Sequence, residues 1–274
     1  MNEIDEGIDS TKKITEVVGE LIKHAGDTPE IKESGKNLGQ AALTITKTIN
    51  NALLPLAAIN YSFDKAKKYF SEKFEKDMEK KASKILEEDL VEPKASIAGP
   101  TLQGLAFSHE ENNLKEMYLS LLTTAMNKKE ADNAHPAYVE IIKQLTSSEA
   151  NLLKLILNYS VYLPICQIIE RNTKNNSEQI IKNHITNVKG TEKDIKKIPA
   201  SIENFIRLGL IKISYSQHLV DLKSYIWIES LPIYKEIVAS NIDSHLNITY
   251  KKGYIAQTDL GIEFSKAVGL SEIK

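Results

Sequence analysis

The chain has 274 residues, with 35 lysines and arginines against 37 acids and a formal net charge of −2. That length allows one large domain or two ordinary ones, and 42% apolar with 26% charged residues excludes intrinsic disorder, collagen and disulfide scaffolds. So even a charge balance excludes a surface built throughout to coat nucleic acid or an acidic membrane, and any such contact has to be local.

The first half reads as helix after helix. Ser10 caps a segment with Ile14, Val17, Val18, Leu21 and Ile22 at helical spacing, and Gly26 closes it. Thr28-Pro29-Glu30 then places a cap, a proline at the first helical position and an acid at the positive end of the dipole; this helix runs to about Leu53, before Pro55. From Ser62 to Leu86, Phe63, Ala66, Phe70, Phe74, Met78, Ala82 and Ile85 recur every three or four residues, which predicts one long amphipathic helix on a globular body. After Val91-Glu92-Pro93 a short helix covers Ser96 to Phe107, interrupted at Gly99-Pro100.

Ser108-His-Glu-Glu111 is a capping box opening a helix with Leu114, Met117, Tyr118, Leu121, Leu122 and Ala125 on one face. A polar loop at Asn127 to Asn133 leads to His135-Pro136, a cap and a helix-starting proline, and to Val139, Ile142 and Leu145. Thr146-Ser-Ser-Glu149 is a second capping box, ahead of Leu152, Leu153, Leu155 and Ile156.

Beyond Thr146 the texture turns strand-like, at Ile165 to Ile169, Leu210 to Ser214, Tyr225 to Ile228 and Tyr254 to Gln257. Gly253 after Lys251-Lys252 reads as a hairpin turn. A capped helix, a short helix Ser201 to Leu208 ended by Gly209, a strand, and a later strand followed by Thr258-Asp-Leu-Gly261 look like a winged-helix module. The predicted fold is therefore mainly α: a helical domain over 1–145, then a winged-helix-like α+β module over 146–274 with a polar insertion near 171–194. No internal repeat is present.

Catalytic patterns are scarce. The six histidines never take a metal-ligand spacing, and phosphate loops and a nucleophile elbow are missing. Glu140-x-x-Lys143 reads as a solvated ion pair on a helix. Cys166, the sole cysteine, sits in the apolar run Leu163 to Ile169 and reads as a buried small hydrophobe in a reducing cytoplasm. Seven acids before Thr28 argue against a secretory signal. These patterns predict a cytoplasmic protein that is not an enzyme and needs no metal or cofactor.

Two features bear on partners. Only Arg171 and Arg207 are arginines, so bidentate phosphate clamps have little material. The basic and amide side chains near the predicted recognition helix are Lys193, Lys196, Lys197, Asn204 and Arg207, with Lys212, Lys251 and Lys252 beyond it, and they are the candidate contacts to nucleic acid or a protein partner. Separately, the stretch between Lys36 and Asp64 holds one charge, Lys47, and many small residues, the composition of a buried central helix or a membrane-perturbing segment.

The run Ala98-Gly99-Pro100-Thr-Leu-Gln-Gly-Leu-Ala-Phe107, through Glu116-Met117-Tyr118 and Leu121-Leu-Thr-Thr-Ala-Met126, to His135-Pro136 and Ile142-Lys-Gln-Leu145-Thr, resembles the abortive-infection alpha family of bacterial proteins. Gly39 to Tyr69, with Leu54-Pro-Leu56, looks like that family's approach to its core, so the resemblance covers roughly 30 to 215. It implies a bacterial or prophage-encoded protein that defends against phage by halting the infected cell. It brings no catalytic residues; Ala98, Gly99, Pro100, His135 and Pro136 are motif positions with structural roles. Joined to the scarcity of catalytic patterns, the resemblance predicts a non-enzymatic sensor or interaction protein whose partner is a phage component or host factor. The alternatives are a membrane-perturbing effector using 36–63 and a winged-helix regulator that binds nucleic acid. Homo-oligomerisation is compatible with each.

Overall fold

A computed structural model describes residues 60–271 apart from 84, 160–161 and 189–196, together with 45, 48 and 49. Apart from 45, 48 and 49, which are helical, the two helices expected before Leu53 and the stretch 36–63 up to Asn60 lie outside the described residues, as do Lys193 and Lys196. The chain divides into two compact units, Met1–Ala150 with Lys266–Leu270, and Asn151–Ser265 with Ser271–Lys274.

The first unit is helical. Helices α1 (Asn60–Glu72) and α2 (Phe74–Ala82) replace the single long helix expected from Ser62 to Leu86. The break is at Lys73, whose φ of −124° leaves the helical range. It lets Tyr69, Phe70 and Phe74 meet edge-on, with centroids 5.3 to 6.3 Å apart, a packing that helical periodicity alone does not encode. Helix α2 is tied to α4 (Asn112–Met126) by Lys115–Asp77 at 3.1 Å and Lys81–Glu116 at 2.8 Å.

Helix α3 (Ala95–Ser108) runs through Pro100 without interruption, against expectation. Proline costs a turn one donor, but Ile97, Ala98, Thr101, Leu102 and Leu105 are all buried, and their burial holds the helix straight through. Ser108 stays inside α3, so the expected capping box with Glu111 does not form; Glu111 is itself the cap position of α4 and makes no side-chain cap bond. The second box does form at the start of α6 (Ser147–Leu157). Thr146 Oγ1 accepts from the Glu149 amide at 3.2 Å, and Glu149 accepts from the Thr146 amide at 2.9 Å. Between them lies α5 (Pro136–Lys143), where His135 Nδ1 accepts from the Ala137 amide at 3.1 Å, while Glu140 and Lys143 pair at 2.8 Å.

The second unit is built on an antiparallel sheet of order β2-β1-β4-β3, from β1 (Tyr162–Asn172), β2 (Glu178–Ile185), β3 (Ile211–Ser214) and β4 (Leu246–Gln257). The stretch read as a polar insertion therefore supplies β2, through a hairpin whose Asn176 takes a left-handed φ of 57°. Central β1 is buried on both faces, with Ile165, Cys166, Ile168 and Ile169 inaccessible, which explains its unbroken apolar run.

Helix α7 (Ile198–Arg207) ends at Gly209, whose φ of +73° turns the chain into β3. Gly253 does not turn. It lies inside β4 opposite Ile165, and a Cβ there would stand 2.3 Å from the Ser214 carbonyl and 2.6 Å from the Tyr215 ring. Close backbone approach, not chain reversal, is why glycine stands there. Thr258 then caps α9 (Asp259–Ala267), accepting from the Gly261 amide at 2.9 Å.

Residues 215–245 join β3 to β4. The strand expected at Tyr225 to Ile228 is instead two tight turns, Leu222–Tyr225 and Ile228–Ser230, followed by α8 (Pro232–Ser240). Tyr225 and Ile228 are pinned over Cys166, with the Tyr225 hydroxyl donating to the Gly253 carbonyl at 2.8 Å, so their apolar spacing serves docking on the sheet and not strand pairing.

Candidate functional site

Three arrangements in the second unit carry polar or exposed chemistry. The first is a buried polar cluster where β2 bulges against β1. Gln167 donates to Asn183 Oδ1 at 2.8 Å, and the His184 amide donates to the same oxygen at 3.1 Å. That leaves Asn183 Nδ2 facing His184 Nε2 at 3.0 Å, so Nε2 accepts and Nδ1 carries the hydrogen donated to the Tyr215 hydroxyl, 3.0 Å away. His184 is 4% exposed and holds a left-handed φ of 51°. Burial pushes its pKa below the ordinary value, opposed by Glu203 of α7, whose carboxylate lies 3.6 Å from Nε2. Burial likewise pushes the Tyr215 hydroxyl up. The cluster links β2 to the segment after β3.

The second arrangement is the basic set read from the sequence, spread over helix α7 and strands β3 and β4 among the described residues. Asn204 and Arg207 meet on α7, Nη2 donating at 2.6 Å. Lys197 is exposed at the start of that helix. Lys212 is on β3, with Ala256 as its cross-strand partner. Lys251 pairs with Glu178, which also holds Arg171 at 2.7 Å; both cations keep the Glu178 carboxyl below its usual range. Lys252 lies over the Tyr225 and Tyr250 rings, at 5.8 and 5.9 Å. Much of the basic charge is thus already engaged.

The third arrangement went unseen in the sequence. The segment 215–245 exposes Val220 by 98%, Ile226 by 74% and Ile242 by 96%, with Leu222 also exposed. The signal was present as apolar residues among Ser, Asp and Lys, but reading Tyr225 to Ile228 as a strand hid it. Cys166 is buried, its thiol pushed up to about 12 by desolvation, which disfavours the thiolate. Ala98, Gly99, Pro100, His135 and Pro136 all lie in helix α3 or at the start of α5, in the first unit. Among the described residues, no helix is long and apolar enough to cross a membrane, and no group of His, Cys, Asp and Glu is arranged to hold a metal ion.

A family model described as abortive infection alpha matches residues 66–268, well over half of the chain. No curated protein and no solved structure matches it.

Proposed function

We propose, the chain belonging to the abortive infection alpha family, that it acts in abortive infection, a defence against phage, as a non-enzymatic sensor that engages a protein partner through the segment 215–245. The observation that carries this reading is the near-complete exposure of Val220, Ile226 and Ile242 on that segment. Three large apolar side chains left almost wholly in water on one connecting segment are the kind of surface a protein partner would cover. Tyr225 and Ile228, which flank Ile226 in the chain, are packed onto Cys166, so the segment is anchored to the sheet at that point.

The winged-helix reading of the second unit draws support from its topology. Helix α6 precedes β1, α7 precedes β3, and β4 returns between them to give the order β1-β4-β3. In this reading 215–245 is an enlarged wing and β2 an added edge strand. Engagement of Arg171 and Lys251 by Glu178 and of Lys252 by two tyrosines favours protein over nucleic acid as the partner.

The test is a photo-crosslinking residue placed at position 226 in the full chain, irradiated during infection. A discrete protein adduct is expected. Degradation of nucleic acid or nucleotides by the purified chain alone contradicts the non-enzymatic reading.

A further inference from the structure

Helix α8 has no fully buried residue, although it carries Ile233 and Ile237 on one face. That face stands over the sheet and leaves a groove of about 380 Å³, lined by Ile233, Glu236, Ile237, Ser240 and Asn241 from the helix side and by Glu170, Ile181, Lys182 and Ile248 from the strands. The four isoleucines are all half-buried, so the apolar floor stands partly in water.

The rim is biased toward accepting hydrogen bonds. Ser240 spends its hydroxyl hydrogen on the Glu236 carbonyl at 2.8 Å, and Asn241 donates to the Leu246 carbonyl at 2.7 Å. The charged residues that line the groove are two acids, Glu170 and Glu236, and one lysine, Lys182. A complementary occupant brings an apolar body and a cationic donor. Half-exposed walls enclose too little of a small free amine to hold it. A peptide gains more, because β2 is an edge strand with no further strand paired to it among the described residues, and strand edges offer main-chain hydrogen bonds beside such grooves.

We propose that the groove between α8 and the β2-β1-β4 face takes a peptide segment of a protein partner in which an aliphatic side chain neighbours a lysine or arginine. The proposal rests on the reading of the chain as an interaction protein, and specifies what the partner must present.

The experiment titrates full-length protein, labelled at isoleucine δ1 methyls, with three acetylated hexapeptides: Ala-Leu-Lys-Leu-Lys-Ala and its counterparts with glutamate or glutamine replacing lysine. The lysine peptide is expected to shift the methyls of Ile181, Ile233, Ile237 and Ile248 in preference to the other two. The double variant Glu170→Gln/Glu236→Gln, with an unchanged free spectrum as its folding control, is expected to weaken that binding about tenfold or more. Equal shifts from the lysine and glutamate peptides, or unmoved groove methyls with every peptide, overturn the proposal. Neither outcome touches the crosslink at position 226, so the groove and the broader reading fail separately.

Discussion

His184 Nδ1 donates to the Tyr215 hydroxyl across 3.0 Å, from an imidazole that is buried and carried on a left-handed backbone. The contact joins the bulged edge strand to the segment that opens the 215–245 insertion. Because burial lowers the folded-state pKa of His184, the unfolded chain binds the proton more readily. This contribution to stability is complete above the unfolded value of about 6.5 and is lost as pH falls below it toward the folded value. Thermal melts between pH 8 and pH 5 are expected to show that loss, and His184→Gln to flatten it. Tyr215→Phe removes one hydrogen bond and is expected to cost about 1 kcal/mol at pH 8.

Gly253→Ala and Gly99→Ala are expected to diverge. At position 253 the new Cβ meets the Ser214 carbonyl at 2.3 Å inside the sheet, which is overpacking of a kind that costs about 1–3 kcal/mol. At position 99 the nearest atom is Thr48 Cγ2 at 3.8 Å, and alanine is the better helix former. Urea unfolding is expected to show a loss for the first and no loss, or a gain of up to about 1 kcal/mol, for the second. The glycine of the Ala-Gly-Pro motif is thus not required by space.

Thr146→Ala removes the reciprocal cap of α6 and is expected to cost about 1 kcal/mol in the same assay. Ser108→Ala, at the box that does not form, is expected to change stability by less than about 0.5 kcal/mol.

The contrast between those two boxes shows where the sequence was legible. Both have the same pattern, but Ser108 sits at the end of a buried helix that keeps it, whereas Thr146 follows a loop and is free to cap. Local chemistry of that kind read well: the αL glycine after α7, the Thr258-x-x-Gly261 turn and the His135-Pro136 start are all in place. What failed depended on contacts distant in sequence. The α1–α2 break answers to an aromatic cluster, the passage through Pro100 to the burial of Ile97, Ala98, Thr101, Leu102 and Leu105, and the place of Gly253 to Ser214 across the sheet. The His184 cluster was illegible for the same reason, since Gln167, Asn183, Glu203 and Tyr215 are brought together only by the sheet. Exposure of Val220, Ile226 and Ile242 is likewise a property of the folded surface, invisible to periodicity.

Glu178→Gln is expected to leave the melting temperature close to wild type, because its ion pairs with Arg171 and Lys251 are at the surface. It also frees two cations. Under the protein-partner reading, a mobility-shift titration at low salt is expected to show no retarded nucleic acid with wild type, and a salt-sensitive shift confined to the variant is the most it can produce.

The central claim is that 215–245 is the working surface. Its most direct measurement is plaque formation, by a phage that the wild-type chain restricts, on cells expressing Val220→Asp/Ile226→Asp. Both positions are solvent-exposed, so the melting temperature is expected to stay close to wild type. Protection is expected to fall to the level of cells without the protein. Full protection from a folded double variant contradicts the account.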